Sequence, residues 1–217
     1  MVNRVHIIRH AEGVHNIHHD KTILDPELSP NGIEQSKRLN QTFPYKQDVG
    51  LVITSPLRRT LHTAIEGFRD IIDQQAFIQG SNEGIPNGAP LLLDPELQAH
   101  SDRPCDTGSE IKVLQASFPT VSLAKLTTDW YVKEGPYAPD KESLDQRARN
   151  VRRRLIEQFK ELDRNGDRRR DIVIVSHGGI LTHIMDDKHF AVPAAGWRTF
   201  AVSEDVDGNV KFDEILD

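Results

Sequence analysis

The sequence has a single cysteine, Cys105, among 217 residues. It can close no internal disulfide and complete no thiolate metal cluster, so a reducing compartment is expected, with the cytoplasm as default. No apolar run reaches the length of a membrane span. The run from Val5 to Ile8 is too short for a signal peptide and leads into no small-residue cleavage site. A large excess of one charge is missing too: 33 acidic against 27 basic side chains give a formal charge of -6. Generic nucleic-acid or membrane-surface binding needs a cationic face to displace counterions, so neither is expected. Internal repeats and low-complexity tracts are absent. The content of 37% hydrophobic and 28% charged residues is that of an average globular domain, which excludes whole-chain disorder, collagen and coiled coil. The length suits one domain over residues 1–217.

What is present is an alternation of short apolar runs with helical periodicity. Val5 to Ile8, Leu51 to Thr54, Leu91 to Leu93 and Ile172 to Val175 read as buried strands. Ser29 followed by Pro30 predicts a capped helix to about Gln41, and further helices are expected from about Pro56 to Phe68 and Gly179 to about Met185. Ser109 is read as capping a helix that reaches Phe118. The apolar spacing Leu144, Ala148, Val151, Leu155, Phe159, Leu162 predicts a longer one. Trp197 to Val202 and Val210 to Ile215, across Asp207-Gly208-Asn209, predict a terminal hairpin. Together these imply an α/β fold, a mostly parallel sheet with helices on both faces. The Gly- and Pro-rich stretch from Gly80 to Pro90 reads as a surface loop. A loop and helix cap is expected over about 79–139.

Three predicted strands end in unusual chemistry: Arg9-His10-Ala11-Glu12-Gly13-Val14-His15-Asn16, Thr54-Ser55-Pro56-Leu57-Arg58-Arg59 and Ser176-His177-Gly178-Gly179. Ligands of open α/β sheets bind where strands deliver their carboxyl ends. If the three loops converge, arginines and histidines meet. Guanidinium forks then face a tetrahedral oxyanion beside imidazoles that are nucleophilic when neutral. A phosphate monoester fits that set best. Each motif alone has a bland reading, a surface Arg-His pair or a glycine turn. Their shared position after buried strands is the stronger sign.

In order and over nearly the whole chain, these motifs, with Leu28-Ser29-Pro30-Asn31-Gly32 and Thr60-Leu61-His62-Thr63-Ala64, resemble the histidine phosphatase superfamily, also called phosphoglycerate mutase-like. The resemblance implies that His10 is a nucleophile forming a phosphohistidine. It also implies that Arg9, Arg59 and His177 hold phosphate oxygens, with Asn16 helping to bind the phosphoryl group and Gly178 in the same motif. Arg58 is read as assisting the pocket or facing solvent, and His15 as lining its mouth. No cofactor and no metal are implied. Cofactor-dependent mutases usually read Arg-His-Gly-Glu-Ser with Trp-Asn after it, whereas this chain has Ala11, Gly13 and His15. Hydrolysis of a small-molecule phosphate ester is therefore expected over mutase activity. Leu97 to Asp102 and Pro104 to Ser109 look like a fungal-type subgroup of small phosphatase-like proteins.

One departure stands out. The superfamily's proton donor is usually a glutamate in a Leu-x-Glu pattern, and this chain reads Leu97-Gln98-Ala99. An alkoxide leaving group needs a proton, and a positioned acid is worth about 10²–10⁴-fold. Asp102 is the leading replacement, with Asp106 or Glu96 next, and His100 is a further one as an imidazolium. The alternative is a phosphate-pocket protein with weak or no turnover, serving as a sensor or partner-binding protein or acting on another anionic small molecule.

Other clusters read blandly. His15, His18, His19 and Asp20 match no standard zinc spacing. In Asp163-Arg164-Asn165-Gly166-Asp167, Arg168 stands where a calcium loop requires glycine. Arg147, Arg149 and Arg152 to Arg154 alternate with Glu157, Glu161 and Asp163, the mark of a solvated helix face. His62 is expected to pack on its helix, and Cys105 to be structural. Trp130, Tyr131 and Tyr137 shape the cap without naming a substrate.

Overall fold

A computed structural model describes residues 2–124, 126–166 and 168–216. The apolar run after Asn3 forms β1 (Arg4–Arg9), and the loop after it turns through a short helix, α1 (Val14–Ile17). Next come α2 (Pro30–Thr42), β2 (Val49–Thr54), α3 (Arg58–Phe68) and β3 (Leu91–Leu93). After an irregular stretch holding α4 (Ile111–Ser117), the chain enters α5 (Lys141–Arg164), β4 (Asp171–Ser176) and α6 (Gly178–Ile184). It closes with β5 (Trp197–Glu204) and β6 (Val210–Ile215). Among the described residues no helix is long and apolar enough to cross a membrane.

The sheet order is β3-β2-β4-β1-β5-β6. The first four strands are mutually parallel, and β5 and β6 run antiparallel as the expected hairpin. Because successive side chains point to opposite faces, β1 sends Ile8 one way and Val5 and Ile7 the other. Ile8 joins Val52, Val173 and Val175 in a core with Leu39, Leu57, Leu61 and Phe68 of α2, α3 and the turn before α3. Val5 and Ile7 join Ile53, Ile172 and Ile174 in a second core with Leu144, Val151, Leu155, Leu181 and Ile184 of α5 and α6. The unbroken apolar strands follow from burial on both faces.

Register places the site. Arg9 pairs with Ser176, and Thr54 with Val175. One step further the ladder continues as His10 N–H to the Ser176 carbonyl, 3.0 Å, and Ser55 N–H to the Val175 carbonyl, 3.1 Å. The chain therefore leaves β1, β2 and β4 at one level, with His10, Ser55 and His177 side by side.

Helix boundaries depart from expectation where caps decide them. α5 starts three residues before Leu144 because the Asp140 side chain accepts from the Ser143 N–H, 3.0 Å. α4 is preceded by Glu110 rather than Ser109, which is buried. α2 starts as read, the Ser29 hydroxyl accepting from the Gly32 N–H at 2.9 Å. Here close approach demands glycine. A β-carbon on Gly32 would lie 2.0 Å from the Glu12 carbonyl oxygen, in the loop that leaves His10. Gly32→Ala is expected to cost about 1–3 kcal/mol through overpacking and to weaken the site with it. Chemical denaturation checks this, and an unchanged midpoint would reject it.

Candidate active site

The three strand ends enclose a cavity of about 290 Å³ lined by Arg9, His10, His15, Asn16, Arg59, His100, Asp106, His177 and Gly178, among others. His10 is 4% exposed. Its Nδ1 lies 2.7 Å from the Ala11 carbonyl oxygen. A carbonyl can only accept, so Nδ1 carries the proton and Nε2 keeps its lone pair. Arg59 Nε donates to that Nε2 at 3.2 Å. Burial first, then Arg59, and after it Arg9 and His15, hold the His10 pKa well below its ordinary value, against the bond to Ala11. The result is a neutral imidazole with its free nitrogen turned to cations.

His177 sits with its ring centroid 5.1 Å from that of His10. Its Nε2 is 3.0 Å from Ser55 Oγ, while its buried Nδ1 has no partner. Burial, then Arg59 and His10, also lower its pKa well below the usual range. Arg59 is 1% exposed. It donates to the Cys105 carbonyl oxygen at 2.7 Å and, through Nη2, to Asp106 Oδ1 at 3.1 Å. Asp106 is held in turn by Ser101 Oγ at 2.6 Å. Arg9 Nε lies 3.9 Å from where a β-carbon on Gly178 would stand, so the absence of a side chain there leaves room beside the guanidinium. Asn16 accepts from the Gly13 N–H at 2.9 Å, and its Nδ2 is 3.1 Å from His15 Nε2. The His15 pKa falls to about 4 through burial and then Arg59. Glu12 faces away, accepting from Ser29 Oγ at 2.5 Å, and so ties the first loop to α2.

Eight of the sequence-derived site residues are resolved into two groups. His10, His177, Arg9, Arg59, Asn16, Gly178 and His15 line one cavity. Arg58 does not. Successive helical residues point about 100° apart, so when Arg59 faces His10 its neighbour faces outward. Arg58 donates to the Asp25 carbonyl oxygen at 2.6 Å and pairs with Glu27 at 2.6 Å, beside a different cavity.

Asp102 is corrected as well. It is exposed and outside the cavity lining, because the short turn Pro104–Asp106 brings Asp106 inward instead. Glu96 is paired with Arg154 and accepts from Asn150 at 2.7 Å, on the far side of the loop. Of the acids considered, Asp106 and His100 reach the pocket. His100 rests on Gly179, where a β-carbon would fall 2.0 Å from its Nδ1, and burial lowers its pKa.

Among the described residues no group of three or more His, Cys, Asp or Glu is placed to hold a metal ion. Cys105 is buried, and burial followed by Asp106 raises its pKa, so it is no nucleophile. Sequence reasoning missed Ser55 as a partner of His177 and missed Lys133. The Lys133 Nζ donates to the Ala99 carbonyl oxygen at 2.7 Å. No local pattern marks that lysine. Its proximity comes from the course of the chain between Trp130 and α5.

A neutral histidine among arginines at the carboxyl edge of a parallel sheet is an arrangement that can receive a phosphoryl oxyanion. Residues 5–71 match the model of the histidine phosphatase superfamily, branch 1. A phosphoglycerate mutase-like protein of Arabidopsis thaliana is 29% identical over 82% of this chain and 71% of its own. A probable phosphatase of Schizosaccharomyces pombe is 28% identical over 67% of this chain and 64% of its own. A mycobacterial glucosyl-3-phosphoglycerate phosphatase solved with VO3 shares the fold, with TM-score 0.60, 18% identity, and 99% and 98% of the two chains covered.

Proposed function

We propose that the protein is a metal-independent phosphomonoesterase that acts on a small phosphorylated metabolite through a phosphohistidine on His10. The observation that carries the reading is the state of His10: neutral, Nδ1 bound to the Ala11 carbonyl, Nε2 facing Arg59. In the reaction Arg59 releases Nε2 to the phosphorus and takes a non-bridging oxygen, with Arg9 and His177 on the others. Nε2 attacks, the ester O–P bond breaks, and water later displaces the histidine. Fixed cations meet charge where it develops, without reorganising at that moment. Asp106 stays against Arg59 as its counter-ion.

Support comes from the superfamily, from the yeast relative named a probable phosphatase, and from the neighbour solved with VO3. The cavity volume of about 290 Å³ suits a phosphoryl group and a small alcohol. Of the segment 79–139 expected as a cap, β3 belongs to the sheet, and Ala99, His100, Arg103 and Asp106 are the side of the cavity that would select that alcohol. One observation favours a second reading, a phosphate-binding protein with little turnover: Ala99 stands where an acid is expected.

Phosphate release from a panel of alkyl and aryl phosphomonoesters, with and without chelator, separates the two. Turnover of both ester types that chelator leaves unchanged is the expected result. Binding of inorganic phosphate without turnover of any ester would favour the second reading.

A further inference from the structure

The leaving oxygen of an alkyl ester still needs a proton, and the three acidic side chains weighed for it are exposed, paired elsewhere or committed to Arg59. The Lys133 ammonium is placed differently. It is half-buried just behind the cavity lining rather than exposed as Asp102 is, and donates to the carbonyl oxygen of Ala99, a lining residue, at 2.7 Å. The segment that carries it does not depend on this bond. Gln98 Nε2 donates to the Trp130 carbonyl at 3.1 Å, and Arg147 donates to the Glu96 and Gln98 carbonyls. Those contacts tie residues 96–98 to Trp130 and α5 independently of the lysine.

We propose that Lys133 is the proton donor that replaces the missing glutamate. The inference rests on the phosphatase reading. As the O–P bond breaks and its electron pair passes to the leaving oxygen, a proton moves from Nζ to that oxygen, and the alcohol departs with the amine neutral. Solvent reprotonates the amine, and in the second step water attacks the phosphorus, the new O–P bond forming as the N–P bond breaks and the water protons passing to a phosphate oxygen and solvent without the lysine. Inorganic phosphate leaves, and His10 is restored.

The surroundings make the proton easy to give. Arg147 of α5 and Arg59 of α3 repel the ammonium, Asp106 and Asp102 attract it, and His100 and His177 feel its charge. Burial first, then Arg147 and Arg59, bring the Lys133 pKa down to about 7, against the two aspartates. An acid of that strength is matched to neutral pH.

The test compares wild type with Lys133→Arg on an alkyl phosphate and on an aryl phosphate with a good leaving group, across pH. A guanidinium can still donate to the Ala99 carbonyl but gives up no proton in this range. Alkyl kcat in wild type is expected to fall as pH rises above about 7, because only the protonated lysine serves. In Lys133→Arg that limb should vanish and alkyl kcat should drop about 10²–10⁴-fold, with aryl turnover and both KM values within a few-fold. His100→Ala should keep the limb.

Equal losses on both esters, an alkyl kcat within about threefold of wild type, or a limb that follows His100 would each overturn the assignment while His10-dependent aryl turnover left the phosphatase reading standing. No turnover of either ester by wild type would sink both.

Discussion

His10→Ala releases no measurable phosphate from an aryl ester, a fall of about 10⁴-fold or more, since loss of a covalent nucleophile costs up to about 10⁶. The size follows from what is lost. A good leaving group makes an acid dispensable, whereas the N–P bond has no substitute donor in line. His177 presents its Nε2 to Ser55 at 3.0 Å, and His15 points its Nε2 at Asn16, 3.1 Å away.

The variant should fold. It loses two hydrogen bonds, worth about 1 kcal/mol each, plus the cost of a cavity, and Arg59 keeps Cys105 and Asp106. Binding of inorganic phosphate or vanadate should persist through Arg9, Arg59 and His177. Kinetics, calorimetric binding and a thermal melt on one preparation check all three. Activity within tenfold of wild type, in a folded variant that binds phosphate, would move the nucleophile off His10.

The strand ends that line the cavity were legible because parallel strands advertise themselves. A buried run with a polar dipeptide after it gives both the strand and its carboxyl end, and Arg9-His10 and Ser176-His177 each follow such a run. The resemblance singled out Arg59, but the spacing alone left Arg58 between pocket and solvent, because which way a helix rolls depends on what packs beneath it. In the fold Leu57, Leu61 and Phe68 are buried against the sheet, and that turns Arg59 to His10 and Arg58 to Asp25 and Glu27. Asp102 against Asp106 was undecidable for a similar reason. A single 3₁₀ turn after Arg103 settles which carboxylate faces inward.

Strand order was beyond reach as well. Nothing in the local pattern of β4 states that it lies between β2 and β1, yet that insertion is what sets Ser55, His177 and His10 in a row. Lys133 was hidden furthest. Its relation to Ala99 spans 34 residues of irregular chain and depends on a buried indole, Trp130, which is fully enclosed and lies where a β-carbon on Gly108 would fall 2.1 Å from it. Sites built at strand ends can be read from a sequence, and contacts supplied by a cap depend on packing that no short pattern encodes.

Arg59→Met lowers turnover about 10²–10³-fold, the cost of removing one preorganised oxyanion donor, and it also moves the pH profile. Arg59 is the leading charge, after burial, that depresses both His10 and His177. In wild type His10 stays neutral to well below pH 6.5, so with His10 as the proposed nucleophile aryl turnover should hold steady on that side. Without the guanidinium His10 takes up a proton more readily, its neutral fraction falls at higher pH, and the acid limb of the residual activity shifts upward.

Stability follows the same sign. A histidine whose folded pKa lies below its unfolded value gives the unfolded chain more protons, so folding free energy is lost as pH falls below about 6.5, by up to about 1.4 kcal/mol per pH unit for each such group. With Arg59 gone that acid-side slope should be shallower, although the variant starts about 3–5 kcal/mol lower because Asp106 has lost its buried partner. A pH–rate profile and a pH series of denaturation midpoints read the two effects separately. An acid limb that stays in place while turnover falls would mean that burial alone holds His10 neutral, and that Arg59 serves only to grip the phosphoryl oxygens.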